Sequence, residues 1–471
     1  MAEAHEPEGR DRTGAEPANE WPAASRRLIG GFWEKAGAMA LPRDTRGEGY
    51  GELLRTHSVE IAYCTLFVFT SSFGQTFFLS LFSPYWATAL GLSSGTMGLV
   101  YGLATLAAGA LLPLSGRWLD SAPSGRAGLV TFGGLTAACL LAAGVSSLWM
   151  LAAAMFLLRF FGQGMCVNVG ITRAARWFEY NRGKAVSLAV VGFPLGEALL
   201  PVSVILLIHV LGWRWAWVAV AAVCALVLAP AAAMLLARRR AQYGMAQPPE
   251  GGRAATRAEF LEVLRDWRFY AMLVVTGPVP FVGTGIIFFQ GMIAEARGWH
   301  AAVVPTGFIV FALVRALFSI SAGAWADRLG SLRLLAVPTT LFGAGLGFLT
   351  LDPPVFAYVF FALFGVGFGA SSGVMTTAWT ELFGAQRIGL IRGLSGAVGV
   401  AATALSPMAF GWAHEAGVPL NAVLWGSVAF MIVCAWPMCG LLARYGRRTG
   451  AAAGANRHAG RGGGPLENTG A

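Results

Sequence analysis

Leu158-Arg159-Phe160-Phe161-Gly162-Gln163-Gly164 is followed by Arg176-Trp177-Phe178-Glu179-Tyr180-Asn181-Arg182-Gly183-Lys184 and then by Gly192-Phe193-Pro194-Leu195-Gly196-Glu197-Ala198-Leu199-Leu200-Pro201. These stretches read as an apolar helix carrying an arginine, a basic loop, and a second apolar helix carrying an acid. A charge at the centre of a membrane helix costs at least ~2.5–3.5 kcal/mol, so it is rarely placed there without a role. The rest of the chain reads as the frame that makes Arg159 and Glu197 tolerable.

Composition sets that frame. The 471 residues are 56% hydrophobic and only 12% charged, against about 25% charged in soluble domains, so the solvent for most side chains is lipid. Runs of roughly 20 apolar residues recur, each enough to cross a ~30 Å hydrocarbon core. The formal charge of +10 does not indicate nucleic acid, because the basic residues fall at particular loops and not on one patch. The six cysteines, Cys64, Cys139, Cys166, Cys224, Cys434 and Cys439, sit in apolar runs without metal-ligand spacing and read as small packing residues. No nucleophile constellation or phosphate-binding Gly-x-x-x-x-Gly-Lys loop occurs. Neither an enzyme nor a resident cofactor is expected.

Apolar spans are predicted at about 59–84, 95–115, 127–146, 148–172, 185–209 and 213–237, and again at about 268–291, 302–325, 333–351, 355–380, 389–412 and 421–443. The expected fold is an all-α membrane protein of twelve transmembrane helices in two six-helix pseudo-symmetric halves. Residues 1–57 read as a mostly disordered cytoplasmic tail, 58–237 as the first half and 238–267 as a cytoplasmic linker. Residues 268–445 form the second half and 446–471 a disordered tail. Within the linker, Thr256-Arg257-Ala258-Glu259 has capping-box spacing before an apolar run and predicts a short amphipathic helix. Of the 34 lysines and arginines, 30 fall in the tails and alternate loops, and the opposite loops hold only Arg214 and Arg297. By the positive-inside rule both termini and the linker are cytoplasmic. Trp86, Trp149, Trp213 and Trp299 then fall at the outer interface as belt anchors.

Gly116-Arg117-Trp118-Leu119-Asp120 ends the second span, and Gly323-Ala324-Trp325-Ala326-Asp327-Arg328-Leu329-Gly330 ends the eighth, 207 residues later. Such internal repeats place a substrate site near the bilayer midplane, between the halves. Counting 1.5 Å per residue from the predicted ends puts Arg159 at ~15 Å and Glu197 and Arg315 at ~18 Å, all near that plane. Two positive charges and one negative leave a surplus that an anionic substrate would neutralise. Glu197 reads either as a permanent partner of Arg159 or as a proton-exchanging group. Gln75, Tyr101, Phe289 and Gln290 are further candidates for the cavity wall, although each aromatic equally suits core packing.

Gly-x-x-x-Asp-Arg-x-Gly at 323–330, with its degraded partner at 116–120, resembles the signature of the major facilitator superfamily. Arg159-x-x-x-Gln163-Gly164 is similar to that superfamily's fourth-span arginine motif, and Gly192-x-Pro194-x-Gly196 to its fifth-span glycine/proline motif. Trp177-Phe178 with Arg182-Gly183-Lys184-Ala185, Gly74-Gln75-Thr76 and Ser406-Pro407 resemble the monocarboxylate-porter and oxalate/formate-antiporter branch. One departure is Ser319, where that branch usually carries an arginine; here the arginine is Arg315, one turn further from the cytoplasm. The resemblance implies a gating role for Gly116, Asp120, Gly323, Asp327, Arg328 and Gly330, and helix bending at Gly192, Pro194 and Gly196. It implies a symporter or antiporter of a small organic anion such as a monocarboxylate in the cell inner membrane, expected as a monomer; the charge count has Arg159 and Arg315 holding that anion. The alternatives are an amphiphile or drug efflux pump, which would want negative charge in the cavity, and a non-transporting membrane sensor, which would want an appended folded domain.

Overall fold

The computed structural model describes residues 44, 47–178, 180–243, 257–384 and 387–459, and every regular element among them is helical. Among the described residues ten helices are long and apolar enough to cross a membrane, and Val303–Ser319 is a shorter apolar run. Leu129, Leu226 and Val433 are 75, 75 and 70% exposed on the bundle's flank, as an apolar solvent allows.

Helices α1 (Tyr50–Thr56) and α2 (Ser58–Thr70) lead into a 3-10 turn at Ser71–Gly74. Gln75 is extended (φ −78°, ψ 154°), and α3 (Thr76–Leu90) resumes the rod after this break. Helices α4 (Ser94–Ser121) and α5 (Ser124–Ala143) follow; Ser93 caps α4 by accepting the Thr96 N–H at 3.2 Å. Then α6 (Leu148–Leu157), a π-helical turn at Leu158–Cys166 and α7 (Val167–Trp177) form one continuous rod. Helices α8 (Arg182–Ala189) and α9 (Gly192–Val223) are separated at Val190–Val191. Pro194 has no N–H to offer the Val190 carbonyl, which takes that of Phe193 instead at 3.1 Å. Gly212 (φ 78°) divides α9, and α10 (Ala229–Tyr243) continues it beyond a second π-helical turn.

The later chain supplies α11 (Arg257–Arg265), α12 (Trp267–Thr276), α13 (Pro278–Phe288) and α14 (Gln290–Ala296). It continues with α15 (Val303–Leu329), α16 (Ser331–Leu334), α17 (Ala336–Phe348) and α18 (Val355–Phe383), and closes with α19 (Ile388–Glu415) and α20 (Leu420–Ala459). The break between α13 and α14 at Phe289 (φ −101°, ψ 18°) answers the break at Gln75.

The helix ends gather at two poles. At the basic pole Arg173 donates to the Ala122 carbonyl (2.8 Å), Arg239 lies over the Trp177 ring (4.2 Å) and Arg387 pairs with Glu262 of α11 (2.8 Å). At the opposite pole Arg214 donates to the Ala143 carbonyl (3.0 Å) and Arg297 pairs with Asp352 (3.0 Å). Between α4 and α19 contact is closest at this opposite pole. A Cβ on Gly98 would strike the Pro407 carbonyl, on Gly102 the Ala404 carbonyl and on Gly411 the Ser94 carbonyl. Toward the basic pole Gly116, Gly393, Gly396 and Gly399 have no neighbouring heavy atom within 4 Å of where a Cβ would sit. The α4–α19 seam is therefore closed at the opposite pole and parts toward the basic one.

Two expectations change here. The end of the amino-terminal tail is attached: Asp44 accepts the backbone N–H groups of Tyr180 (2.9 Å) and Asn181 (2.5 Å), and Lys184 donates to the Glu48 carbonyl. Most of that tail, the capping Thr256 and residues 460–471 lie outside the described residues. Trp86 is no belt anchor. It is fully buried and stacked on Trp217 at 5.8 Å, whereas Trp149 is 82% exposed.

Candidate functional site

A cavity of about 170 Å³ lies where the α2–α3 break meets the π-helical turn, lined from both halves of the chain. Arg159 is 3% exposed and sits on the π-helical turn, a wide-turn geometry that recurs at functional sites. Its Nη1 donates to the Gly74 carbonyl at 3.1 Å, and its guanidinium carbon stands 5.1 Å from the Tyr101 ring centroid. The Tyr101 hydroxyl shares a 2.6 Å hydrogen bond with Thr76 Oγ1. The local cause is the break before α3. Leaving helical geometry frees the Gly74 carbonyl, and in an apolar medium a freed carbonyl needs a donor. Arg159 supplies it from the neighbouring rod. This approach requires glycine on both sides, because a Cβ on Gly162 would lie 2.7 Å from the Gly74 Cα.

Arg159 nevertheless keeps unspent capacity. Its buried Nε has no partner among the described residues, and no described carboxylate lies within ion-pair distance. Cation–π contact contributes ~0.5–2 kcal/mol and a charge-assisted hydrogen bond ~1.5–3 kcal/mol, so the site holds the charge without neutralising it. Gln75 and Thr76 at the start of α3 and Gln163, four residues after Arg159, line the cavity beside it. Helix starts expose N–H groups and the positive end of the helix dipole, so both features favour an anion.

Glu197 also lines the cavity, but its partner is not Arg159. Its carboxylate pairs with Arg315, joining α9 to α15. Arg315 does not line the cavity. It is held by Glu197 and by aromatic faces, 4.8 Å from the Phe368 centroid and 5.6 Å from that of Phe193. Equal depth along two helices did not decide the pairing; the rotation of each helix about its own axis did.

The remaining candidates divide. Gln290 is 6% exposed and donates to Ser80 at 2.7 Å, nearer the opposite pole, and Phe289 lines a separate apolar pocket there. Neither lines the central cavity. Gly192 and Gly196 are close-packing positions: a Cβ on Gly192 would meet the Phe69 N–H at 2.5 Å, and one on Gly196 would strike Ser72. Gly330 turns the chain after α15 (φ 86°) and Arg328 is exposed. The side chains of Asp120 and Asp327, and the surroundings of Gly323, lie outside the described residues. Thr76, Gln163, Thr284, Phe311, Phe368 and Thr403 line the cavity without having been singled out as site residues. Gln163 had a signal, since i+4 spacing puts it on the face of Arg159; the others depend on how the halves meet.

The family model described as Major Facilitator Superfamily matches residues 64–407. No curated protein matches the chain. Among solved structures, it is similar to a bacterial homologue of the human lysosomal transporter Spinster in an inward-facing, unoccupied conformation. The TM-score is 0.62 at 16% identity, over 82% of this chain and 97% of that one. It is also similar to a mutant of the nucleoside transporter NupG, with a TM-score of 0.61 at 11% identity, over 81% of this chain and 99% of that one. At these identities the likeness is one of fold.

Proposed function

This chain belongs to the major facilitator superfamily, and from that premise we propose that it is a secondary active transporter carrying a small organic monocarboxylate across the cytoplasmic membrane by alternating access. The observation that carries the anionic cargo is Arg159: a buried guanidinium on a cavity wall, without a carboxylate partner among the described residues. Glu197 and Arg315 neutralise one another, so the surplus charge of the three-residue set rests on Arg159. An anion bound there would both complete its hydrogen bonding and neutralise it.

Alternating access is supported by the asymmetry of contact between α4 and α19. A count of twelve passes is supported by the ten long apolar helices, one of them divided at Gly212, together with Val303–Ser319. With basic loops cytoplasmic, the parted pole faces the cytoplasm and the closed pole faces outward. Arginines Arg159 and Arg315 then differ in duty: the first receives cargo, and the second meets Glu197 across the halves.

Uptake of labelled lactate, pyruvate, oxalate and benzoate into proteoliposomes, with and without a pH gradient, tests the reading. Uptake of at least one anion is expected, and Arg159→Ala should lower it about 10- to 100-fold, the loss of one charge-assisted hydrogen bond. Absence of uptake of every anion by the native protein, or full activity in Arg159→Ala, rejects it.

A further inference from the structure

The two walls of the cavity differ in chemistry. The earlier half of the chain presents Gln75, Thr76, Arg159 and Gln163, together with Glu197, whose charge is engaged by Arg315. Facing them are rings: Phe308 and Phe311 three apart on α15, and Phe364 and Phe368 four apart on α18, spacings that stack side chains on one helix face. The rings pack into a continuous sheet. Phe311 stacks on Phe364 with centroids 4.7 Å apart and planes inclined at 24°, Phe364 meets Phe368 at 5.6 Å and Phe308 meets Phe311 at 6.0 Å. Phe77 extends it from the other half, 5.5 Å from Phe308. The hydroxyls on that side are Thr284 and Thr403, and the latter is turned onto the Val400 carbonyl at 2.9 Å.

A cavity with one cationic pole and one aromatic pole discriminates among carboxylates. A dianion such as oxalate would satisfy Arg159 with one carboxylate and press the other, desolvated, against rings. Lactate would fill the cationic pole and leave the aromatic one without contact. A carboxylate joined to a flat apolar body satisfies both poles, the ring packing edge-on or offset against its neighbours. The volume of about 170 Å³ accommodates a body of roughly a single ring. We propose that the cargo is an aryl or arylalkyl monocarboxylate of the benzoate or phenylacetate kind, a refinement that rests on the anionic reading of Arg159.

Equilibrium binding to the purified full-length protein tests this with benzoate, lactate, oxalate and benzyl alcohol. Benzoate should bind about tenfold more tightly than lactate or oxalate, from burial of its ring. It should also bind at least about tenfold more tightly than benzyl alcohol, which has the ring without the charge. Phe308→Leu and Phe364→Leu keep apolar volume and remove a ring face, so each should weaken benzoate about two- to tenfold and leave lactate unchanged. Lactate or oxalate binding as tightly as benzoate, or an unchanged benzoate-to-lactate ratio in both variants, overturns the aryl assignment and leaves the anionic reading standing. Benzyl alcohol binding as tightly as benzoate overturns both, as does the absence of binding by all four.

Discussion

Glu197 and Arg315 form an ion pair between elements that alternating access requires to move against each other. The pair is enclosed by Phe193, Phe311 and Phe368. Removing one member of such a buried pair leaves the other uncompensated, typically at a cost of ~3–5 kcal/mol, whereas removing both is often close to neutral. Glu197→Gln and Arg315→Gln should therefore each lower the unfolding temperature, and the double variant should be more stable than either. Additive losses in the double variant would show that the two side chains are not energetically coupled. Uptake by Glu197→Gln bears on coupling as well: a pH dependence like that of the native protein would leave Glu197 as the partner of Arg315 and nothing more. That these charges share a level was legible in the sequence, because 1.5 Å per residue fixes relative height along a helix. Their pairing was not, because it follows from helix rotation. Arg159 turns toward the Gly74 carbonyl released by a break in another helix, and a span count contains no trace of that break.

Helices in this chain are interrupted where tertiary partners can satisfy the freed groups. The α2–α3 break meets the π-helical turn through Gly74 and Gly162, and the α12 start is fixed by a polar knot. Asp266 caps α12 by accepting the Arg268 N–H at 2.8 Å, and Arg268 reaches the Leu382 carbonyl (3.2 Å) and the Tyr445 hydroxyl (3.0 Å), tying the end of α18 and Tyr445 of α20 to α12. Burial pushes the Asp266 carboxyl up, but the hydrogen bonds and charge of Arg268 outweigh it and hold it below its ordinary 3.8. A carboxyl depressed by folding binds its proton more readily in the unfolded chain. Its contribution is thus complete above the ordinary value and fades as pH falls through the lower folded value. Thermal unfolding between about pH 6 and pH 2 should show this acid-side loss, and Asp266→Asn should flatten it while retaining the cap. Asp266→Ala should cost ~1 kcal/mol more broadly, through loss of the cap itself. An acid limb equally steep in Asp266→Asn would assign the loss to other carboxyls. The glycines of the α2–α3 break were visible in the sequence, but the same residues suit an unbroken helix in a membrane. Only the arrival of Arg159 selects the break. The contact of Asp44 with Asn181 was likewise illegible, since it joins positions 137 residues apart.

At the scale of the whole molecule, α4 and α19 meet through small residues at the closed pole. Gly98, Gly102 and Gly411 let backbones approach until a methyl group would collide with a carbonyl. Contact of this kind, built mainly from van der Waals packing with the Ser94 hydroxyl donating to the Gly411 carbonyl at 3.2 Å, can part and re-form as rigid rods rock. Gly116, Gly393, Gly396 and Gly399 offer a matching run of small residues toward the basic pole, clear of neighbouring atoms in this conformation. The glycine content read from the sequence thus divides into a seam that is closed and a seam free to close. Gly98→Leu should wedge the first seam open. Since the side chain would enter a cleft between the halves and not the core of either, the variant should fold, yet uptake should fall by about tenfold or more because the closed-pole state becomes strained by roughly 1–3 kcal/mol. Thr284 lines the cavity and reports which pole is open. A cysteine placed there should react with a membrane-impermeant thiol reagent from the basic side in the native background and from the opposite side in Gly98→Leu. Native transport by Gly98→Leu, or labelling from the same side in both backgrounds, would mean that the glycine seam is static packing and that the halves move about some other contact.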